Sequence, residues 1–268
     1  MRVPGSHFLR NLVERRNLLF QLVRRDFAQR FVGSAAGWVW GVVHPVVLLV
    51  SWVFVFQVCM RIAPPPGLER GNYAIFLFCG FLPWMLFQDT VQRSSSCLLD
   101  HQNLITKTVF PAEVVPVAVF LSSLVNHLIA LGLAITAVAF WVGQLSFHVL
   151  LLPAYIFFVG LFAVGIGWFV SSLNVYIRDT AQVVSVALTF WFWFTPIFIY
   201  PEMIPERFRF LLKINPLAYP VNAYRERLLT SRPPDPLEFA IIAACGIVTF
   251  FAGGLFFRHL KRGFADVL

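Results

Sequence analysis

Few ionisable side chains stand where they could act on a substrate or a proton. Asp89 ends the second long apolar run and precedes Arg93 by four residues, a spacing that predicts an ion pair at a helix end. His44, His127 and His148 lie in or near apolar runs without the HxxxH spacing of metal ligands, which favours hydrogen-bonded structural roles. The third, fourth and sixth apolar runs hold no carboxylate, and this argues against an ion-coupled transporter.

The sequence also lacks the short motifs of nucleotide binding and catalysis. It contains no Gly-Lys-Ser/Thr, GxSxG, HExxH or DxD, and its four cysteines form no CxxC pair. If ATP drives transport, another chain must therefore supply the ATPase. A membrane-embedded enzyme of lipid-linked glycan metabolism stays open as the alternative to a transporter subunit. The polar groups available to it on one membrane side are Asp89, Asp100, His101 and Glu113.

The composition places the chain in a membrane. Of 268 residues, 59% are apolar and only 13% charged, with a mean hydropathy of +0.75. Such a chain cannot cover a soluble globule with polar surface, and it is too apolar to be disordered. The net charge of +8 is attributed to membrane topology rather than to nucleic-acid binding, because Lys and Arg accumulate on cytoplasmic flanks.

Charge-free runs predict an all-α membrane protein with six transmembrane helices in one domain, residues 1–268. With six spans, 13 of the 21 Lys and Arg residues fall on the side of both termini, which predicts cytoplasmic N and C termini. A turn at Gly143–Ser146 would separate the third and fourth spans. The expected spans are Trp38–Met60, Gly71–Gln88, two within Val114–Ile177, Thr180–Pro201 and Phe239–Phe257.

Residues 8–30 predict an amphipathic helix on the cytoplasmic membrane surface. Apolar residues including Leu18, Leu22 and Phe27 recur at helical spacing, and the arginines lie off that stripe. Their guanidinium groups suit phosphate oxygens, so this interface could also meet a lipid diphosphate. The arginines concerned are Arg24, Arg25 and Arg30.

Two further segments lie outside the spans. The loop at residues 92–113 is polar but has a short apolar patch, and it could dock a cytoplasmic partner. The segment at residues 201–238 is rich in proline and holds two short helix candidates, Glu206–Lys213 and Leu217–Thr230. It is either an outer cap or a re-entrant pair lining a pathway, because broken helices at membrane depth need protein or water beside them.

Aromatic residues are unusually frequent, with 30 Phe, 8 Trp and 6 Tyr. Five consecutive aromatic residues, Phe190 to Phe194, cover every face of a helix, so some must face protein or a pathway rather than lipid. Aromatic faces stack on the C–H faces of sugars, which makes a glycan-lining role possible. The candidates for that lining are Phe190, Trp191, Trp193, Phe194 and Tyr200.

Four stretches together resemble the permease subunits of polysaccharide-exporting ABC transporters, the type-two export family that serves O-antigen, capsule and teichoic-acid export. They occur in the family's order from about residue 25 to residue 230. The stretches are RDF running into RFVGSAAGWVWGVVHPV, KTVFPAEVVPV, LNVYIRDTAQVV with FTPIFIYP, and INPLAYPVNAYRERLL.

The resemblance implies a homodimer in the inner membrane, bound to two copies of an ABC ATPase that carry the ATP and Mg²⁺, with no cofactor in this chain. The substrate would be a glycan on a polyprenyl-diphosphate lipid. Residues 94–110 would hold the coupling helix that contacts the ATPase: Leu98, Leu99, Asp100, Asn103, Leu104, Ile105 and Lys107. Residues 202–230 would form outer gate helices: Asn215, Pro216, Tyr219, Tyr224 and Arg225.

Overall fold

A computed structural model describes residues 16–30, 37–62, 73–107, 110–143, 145–198, 205–230 and 232–267. In these ranges the chain is helical and contains no strand, which confirms the all-α prediction. We number the α-helices in chain order from α1 to α11. They are Arg16–Gln29, Trp40–Trp52, Tyr73–Asp100, Gln102–Lys107, Val114–Trp141, Leu152–Tyr176, Thr180–Phe194, Phe210–Ile214, Ala218–Leu229, Pro236–Leu260 and Phe264–Val267.

Five of the described segments are long and apolar enough to cross a membrane. They are Trp40–Cys59, in which α2 continues as a π-helix, Tyr73–Asp100, Val114–Trp141, Phe147–Tyr176 and Pro236–Gly263. The expected fifth span, α7, has 15 residues and is about 22 Å long, less than a hydrocarbon core of about 30 Å. A sixth span therefore stays a prediction.

The helices run between two ends of one bundle. At one end lie α1, α4, the end of α10 and α11; we call it the α4 end. The other holds the start of α3, the end of α7, and α8 and α9; we call it the α9 end. Helix α7 runs toward the α9 end. Phe198, just after α7, lies at that end, because its carbonyl oxygen accepts a hydrogen bond from the Tyr73 hydroxyl at the start of α3.

Helix α3 extends further than the sequence predicts. We expected the second span to stop near Gln88 and a polar loop to begin at residue 92, but α3 is unbroken to Asp100. Most of that supposed loop is therefore helix, since Ser94, Ser95, Cys97 and Leu98 pack inside the bundle instead of facing water. Only α4 and the residues around it remain as a separate segment.

Helix α1 packs its apolar stripe on protein. Leu22 is 7% exposed and forms a cluster with Val114 and Ala118 at the start of α5, with Leu18 and Val23 beside it. The amphipathic helix is thus confirmed from residue 16 onward, and its apolar side contacts α5 rather than lying wholly in lipid. The expected residues 8–15 lie outside the described ranges.

Helices α6 and α10 pack so closely that glycines on each helix lie against backbone carbonyls of the other. A β-carbon on Gly165 would collide with the carbonyl of Thr249, and one on Gly253 with the carbonyl of Gly165. A β-carbon on Gly246 would lie 2.5 Å from the carbonyl oxygen of Phe158. Such small-residue contacts are how helices approach closely without a hydrophobic driving force in lipid.

The turn between α5 and α6 falls where the sequence predicts it. Gly143 has a φ of 72°, a left-handed conformation that ends a helix at little cost for glycine. The Ser146 hydroxyl then accepts a hydrogen bond from the His148 backbone amide and caps the 3₁₀-helix that leads into α6. Gln144 lies outside the described ranges.

Helix α9 is the core of the α9 end and not a surface cap. Leu217, Val221, Ala223 and Leu228 are each at most 1% exposed, and α9 packs mainly against α3. The expected helix Glu206–Lys213 is a 3₁₀-turn, Glu206–Phe208, followed by α8. Whether this pair is re-entrant in a bilayer remains a prediction.

Candidate functional site

Helix α4 lies at the α4 end, and none of its residues is buried. Its polar residues Asn103 and Lys107 are exposed, as is Asp100 just before it. Leu99, Leu104 and Ile105 are half-buried, and Ile105 packs on the cluster beneath. Most of the expected coupling residues thus lie on or beside one partly exposed helical turn.

Leu98 is an exception to that prediction. It is 1% exposed and lies in a buried cluster with Trp168 of α6, Phe257 of α10 and Phe264 of α11. Its side chain supports the segment from below and cannot contact another subunit. Helices α3, α6, α10 and α11 therefore share one buried cluster, and α4 packs on it.

Polar contacts hold the same core together. The Trp168 indole nitrogen donates to the backbone carbonyl of Glu113, at 2.9 Å. The Glu113 carboxylate accepts a hydrogen bond from the Lys261 ammonium, which joins the entry of α5 to the end of α10. The core next to α4 thus connects the start of α5 with α6 and the end of α10.

Two ion pairs connect α1 and the residue that follows it to α3. Arg93 donates to both carboxylate oxygens of Asp26 at 2.6 Å, and Arg30 donates to Asp89 at 2.8 Å and to Ser123 at 3.0 Å. The expected Asp89–Arg93 pair is therefore wrong, because each residue pairs with a neighbouring helix. Burial lowers the pKa of the Arg30 guanidinium, while the nearby Asp89 carboxylate opposes this shift.

These contacts divide the three arginines expected at the membrane surface. Arg24 and Arg25 are exposed on α1, where a lipid phosphate could reach them. Arg30 is only 14% exposed and is already engaged by Asp89 and Ser123, so its assignment to lipid phosphate is wrong. The Asp-x-x-x-Arg spacing in both segments marks these four residues as ion-pair candidates but does not predict which of them pair.

The aromatic run of α7 splits between two faces. Phe190, Trp193 and Phe194 are 67%, 68% and 46% exposed. Trp191 is half-buried and packs on the core, with its ring centre 5.3 Å from that of Phe87, so it offers less surface to a pathway than its neighbours. Tyr200 lies outside the described residues.

Asn215 joins the end of α7 to the start of α9. Its side-chain oxygen accepts from the Trp191 indole at 2.9 Å and from the Leu217 amide at 3.0 Å. Its side-chain nitrogen donates to the carbonyl of Phe194 at 3.1 Å and to the hydroxyl of Thr195 at 3.2 Å. With every polar atom engaged, Asn215 is a structural link.

One of the remaining residues expected in the gate, Tyr224, is fully enclosed. Tyr224 is 0% exposed and its hydroxyl lies 3.1 Å from Nε2 of His127 on α5. Tyr219 donates to the carbonyl of Lys213 at 2.9 Å, and Pro216 is half-buried beside it. A gate role for Tyr224 could act only through the packing of α9.

Arg225 is a buried cation that binds backbone. It is 5% exposed and donates to the carbonyls of Phe76 at 3.3 Å, Pro196 at 2.7 Å, and Ile197. Its guanidinium carbon also lies 3.9 Å from the centre of the Phe76 ring. Arg225 thereby fastens α9 to α3 and to the turn after α7, and it is not presented to a substrate.

The polar groups that an enzyme would need have separate partners. Asp89 pairs with Arg30, Glu113 with Lys261, and His101 Nδ1 lies 2.8 Å from the carbonyl of Cys97. Asp100 is exposed at the tip. Within the described ranges, no hydrogen bond joins two of these four groups, and no cluster of three or more His, Cys, Asp or Glu could hold a metal ion.

The sequence matches a known transporter family from α1 to the end of α9. Residues 17–229 match the ABC-2 type transporter family. The chain belongs to this family. It is therefore a multi-pass membrane permease that works with an ABC ATPase, which confirms the resemblance seen in four stretches of the sequence.

Full-length relatives extend this similarity over α10. The chain is 31% identical to the O-antigen export system permease protein RfbA of Myxococcus xanthus over 261 residues, 96% of this chain and 98% of the relative. Two proteins of the same name from Klebsiella pneumoniae are each 29% identical over 255 residues, 94% of this chain and 95% of theirs.

Proposed function

We propose that the chain is the transmembrane subunit of an ATP-driven exporter that moves a polyprenyl-diphosphate-linked polysaccharide across the cytoplasmic membrane. The observation that carries the proposal is the similarity over nearly the whole length to permeases named for O-antigen export. The sparse ionisable groups of the bundle agree with it, because a polymer pushed by ATP needs no proton or sodium relay.

The proposed assembly is a homodimer with two ATPase subunits in the inner membrane, with both termini cytoplasmic. Large apolar residues such as Val47, Val50 and Phe54 on α2 and Val183 and Val186 on α7 are exposed in the monomer, so these faces are open to a second copy or to lipid. The α4 end then faces the cytoplasm, where the ATPase binds ATP and Mg²⁺.

Coupling would begin at α4. Closure of the ATPase dimer would push on the exposed turn around Asn103, and Ile105 and Leu98 would pass that force to the core below. Because that core joins α3, α6 and α10, the helices would shift together around the dimer axis. No residue of this chain takes part in hydrolysis in this mechanism.

The pathway would run beside α7. The exposed Phe190, Trp193 and Phe194 of two copies would face each other and offer flat apolar surfaces to sugar rings. Motion of α9, held to α7 by Asn215 and to α3 by Arg225, would open the outer end. The enzyme alternative is less well supported because Asp89, Glu113 and His101 have separate partners and Asp100 is exposed.

The first experiment depletes the protein from its own cell and locates the lipid-linked glycan. Accumulation on the cytoplasmic leaflet with loss from the cell surface is the expected result. Failure to make the lipid-linked glycan at all would favour the enzyme alternative. An unchanged glycan on both sides would contradict the proposed substrate.

A second experiment tests the coupling surface by charge reversal. Lys107→Glu changes an exposed residue of α4, and Lys213→Glu makes the same change on an exposed residue of α8 at the opposite end. We expect only Lys107→Glu to reduce recovery of the ATPase subunit with the permease. Equal recovery with both variants would contradict the assignment of α4 as the ATPase contact.

A further inference from the structure

The chain that follows α10 packs against α4. Residues Lys261–Val267, which we call the α11 segment, form a 3₁₀-turn, Lys261–Gly263, and then α11. Phe264 of this segment is 1% exposed and lies in the buried cluster with Leu98, on which Ile105 of α4 packs. Helix α11 also contacts α4 directly. The α11 segment is therefore part of the support of α4.

Two polar contacts fasten the α11 segment and the residue before it to other helices. The Tyr176 hydroxyl at the end of α6 donates to the carbonyl oxygen of Leu260 at 2.9 Å. Gly263 leaves room for that hydroxyl, because a β-carbon there would lie 2.6 Å from it. The Lys261 ammonium donates to the carboxylate of Glu113, the residue before α5. The segment is thus tied to the end of α6 and to the start of α5.

Helix α4 lies between two fixed positions of the chain. Before it, His101 alone separates α4 from the end of α3 at Asp100. After it, Glu113 is 5% exposed, and its backbone carbonyl accepts a hydrogen bond from the Trp168 indole. The chain that leaves α4 therefore reaches a buried anchor, and the carboxylate of that anchor is bound by Lys261.

The surroundings of the Glu113–Lys261 ion pair favour an orienting role over a stabilising one. The Lys261 side chain is 38% exposed, and ion pairs with an exposed partner add little to stability. The Glu113 carboxylate is buried, and a buried ion pair is often no more stabilising than apolar side chains in its place. The pair does restrict direction, because the ammonium must stay within hydrogen-bond distance of one carboxylate.

We propose that the Glu113–Lys261 ion pair is a positioning contact, which holds the α11 segment against α4 and so fixes the direction in which α4 meets the ATPase. The proposal rests on the proposed function for the role of α4 as the ATPase contact. Neither residue touches ATP or the substrate in this role. Without the ion pair, Phe264 would still fill its cluster, but the α11 segment could turn away from α5 and α4 would be held less tightly.

The first test measures the mobility of α4 in the full-length permease. A nitroxide spin label is attached at Asn103→Cys, an exposed position of α4, after Cys59 and Cys245 have been replaced by alanine. Lys261→Met removes the cation and keeps an apolar stem. We expect it to raise the mobile fraction of the label about threefold, or roughly 0.7 kcal/mol, the range of a partly exposed ion pair.

Four further variants show whether the ion pair is responsible. Arg262→Met is the matched control, because it removes the same charge from the next residue, which is exposed. Lys261→Arg keeps a cation opposite Glu113, and neither it nor the control should shift the spectrum. Glu113→Gln should shift it as much as Lys261→Met, and the double variant should shift it no further, because both changes break one contact. Lys261→Met should fold even if Glu113→Gln does not, because the α5 dipole still compensates the carboxylate.

The second test asks whether the position of α4 matters for coupling. The same variants replace the permease in its own cell, where surface glycan is measured, and ATP hydrolysis is measured on the purified permease–ATPase complex. Lys261→Met should lower surface glycan about threefold while the amount of assembled complex and its rate of ATP hydrolysis stay unchanged. A residue that served stability alone would lower the amount of assembled complex instead.

The outcomes separate this inference from the proposed function. An unshifted spectrum in Lys261→Met, or an equal shift in Arg262→Met, would overturn the positioning role. So would normal export by Lys261→Met, or a loss of export explained by less assembled complex. If the depletion experiment contradicts glycan export, the proposed function fails, while the spectra, which need no glycan, still judge the ion pair.

Discussion

The close approach of Gly80 to Arg225 allows a quantitative test of how α9 is held in place. A β-carbon at position 80 would lie 2.5 Å from Nε of Arg225 and 2.7 Å from both Cζ and Nη2. The guanidinium cannot retreat freely, because it is fixed by the carbonyls of Phe76, Pro196 and Ile197. Gly80→Ala should therefore displace Arg225 and loosen the contact between α9 and α3.

The expected cost follows from the contacts that must give way. Displacing the guanidinium loses at least one hydrogen bond of a charged group, about 1.5–3 kcal/mol, and overpacking adds about 1–3 kcal/mol. Alanine regains about 1 kcal/mol through its higher helix propensity. We expect Gly80→Ala to lower the free energy of unfolding by about 3 kcal/mol.

The assay is unfolding of the purified permease by titration with SDS, in a double-mutant cycle. Gly80→Ala is measured alone and in an Arg225→Met background, where the obstructing guanidinium is gone. Gly132→Ala on α5 is the matched control, because a β-carbon at Gly132 meets nothing within 4 Å. We expect the control to be neutral or slightly stabilising, and the coupling between positions 80 and 225 to be about 3 kcal/mol.

Two results would refute this reasoning. One is a Gly80→Ala protein as stable as Gly132→Ala. The other is a cost of Gly80→Ala that stays the same in the Arg225→Met background, since the clash would then lie elsewhere. Either would mean that Arg225 does not hold α9 against α3.

Three further predictions concern the contacts at the two ends of the bundle. Asp26→Asn should cost about 1.5–3 kcal/mol of unfolding free energy in the same SDS titration, and exchanging Asp26 and Arg93 should restore part of it. Phe264→Ala should cost about 3–5 kcal/mol and should lower export while ATP hydrolysis by the assembled complex continues, because the core under α4 would no longer transmit its motion; export at the normal rate would contradict this. Asn215→Leu should cost about 1–3 kcal/mol by leaving the Trp191 indole donor unpaired, and Asn215→Asp should not rescue it, because a buried carboxylate oxygen would then face the carbonyl oxygen of Phe194.

The positions of the helices could be predicted well from charge-free runs, because a membrane forces long apolar segments to be helical. The partners of the charged residues could not. Arg30, just after α1, stands four residues from Asp26, and Arg93 stands four residues from Asp89 on α3; each spacing alone predicts a local pair. In the structure each residue pairs with the other segment instead, and the Asp26–Arg93 and Arg30–Asp89 contacts are partly buried, where an ion pair is worth more than on an exposed helix face.

In the candidate site, too, features set by the local sequence could be predicted, and features set by distant helices could not. Asn103 and Lys107 are exposed as expected, because they lie on a short polar segment between two spans. The buried positions of Leu98 and Arg225 depend on helices far away in the sequence, including α10 and the turn after α7. An arginine in a segment rich in proline gave no sign that it would bind backbone carbonyls inside the bundle.

The glycine contacts between α6 and α10 have a genetic consequence. Glycine is the one amino acid without a β-carbon, so every missense mutation in the codons of Gly165, Gly246 or Gly253 introduces an atom where a backbone carbonyl already lies. The usual gradation between mild and severe replacements should therefore disappear at these three codons. In a saturation mutagenesis library selected for export, alanine and serine should be depleted there nearly as strongly as the large residues.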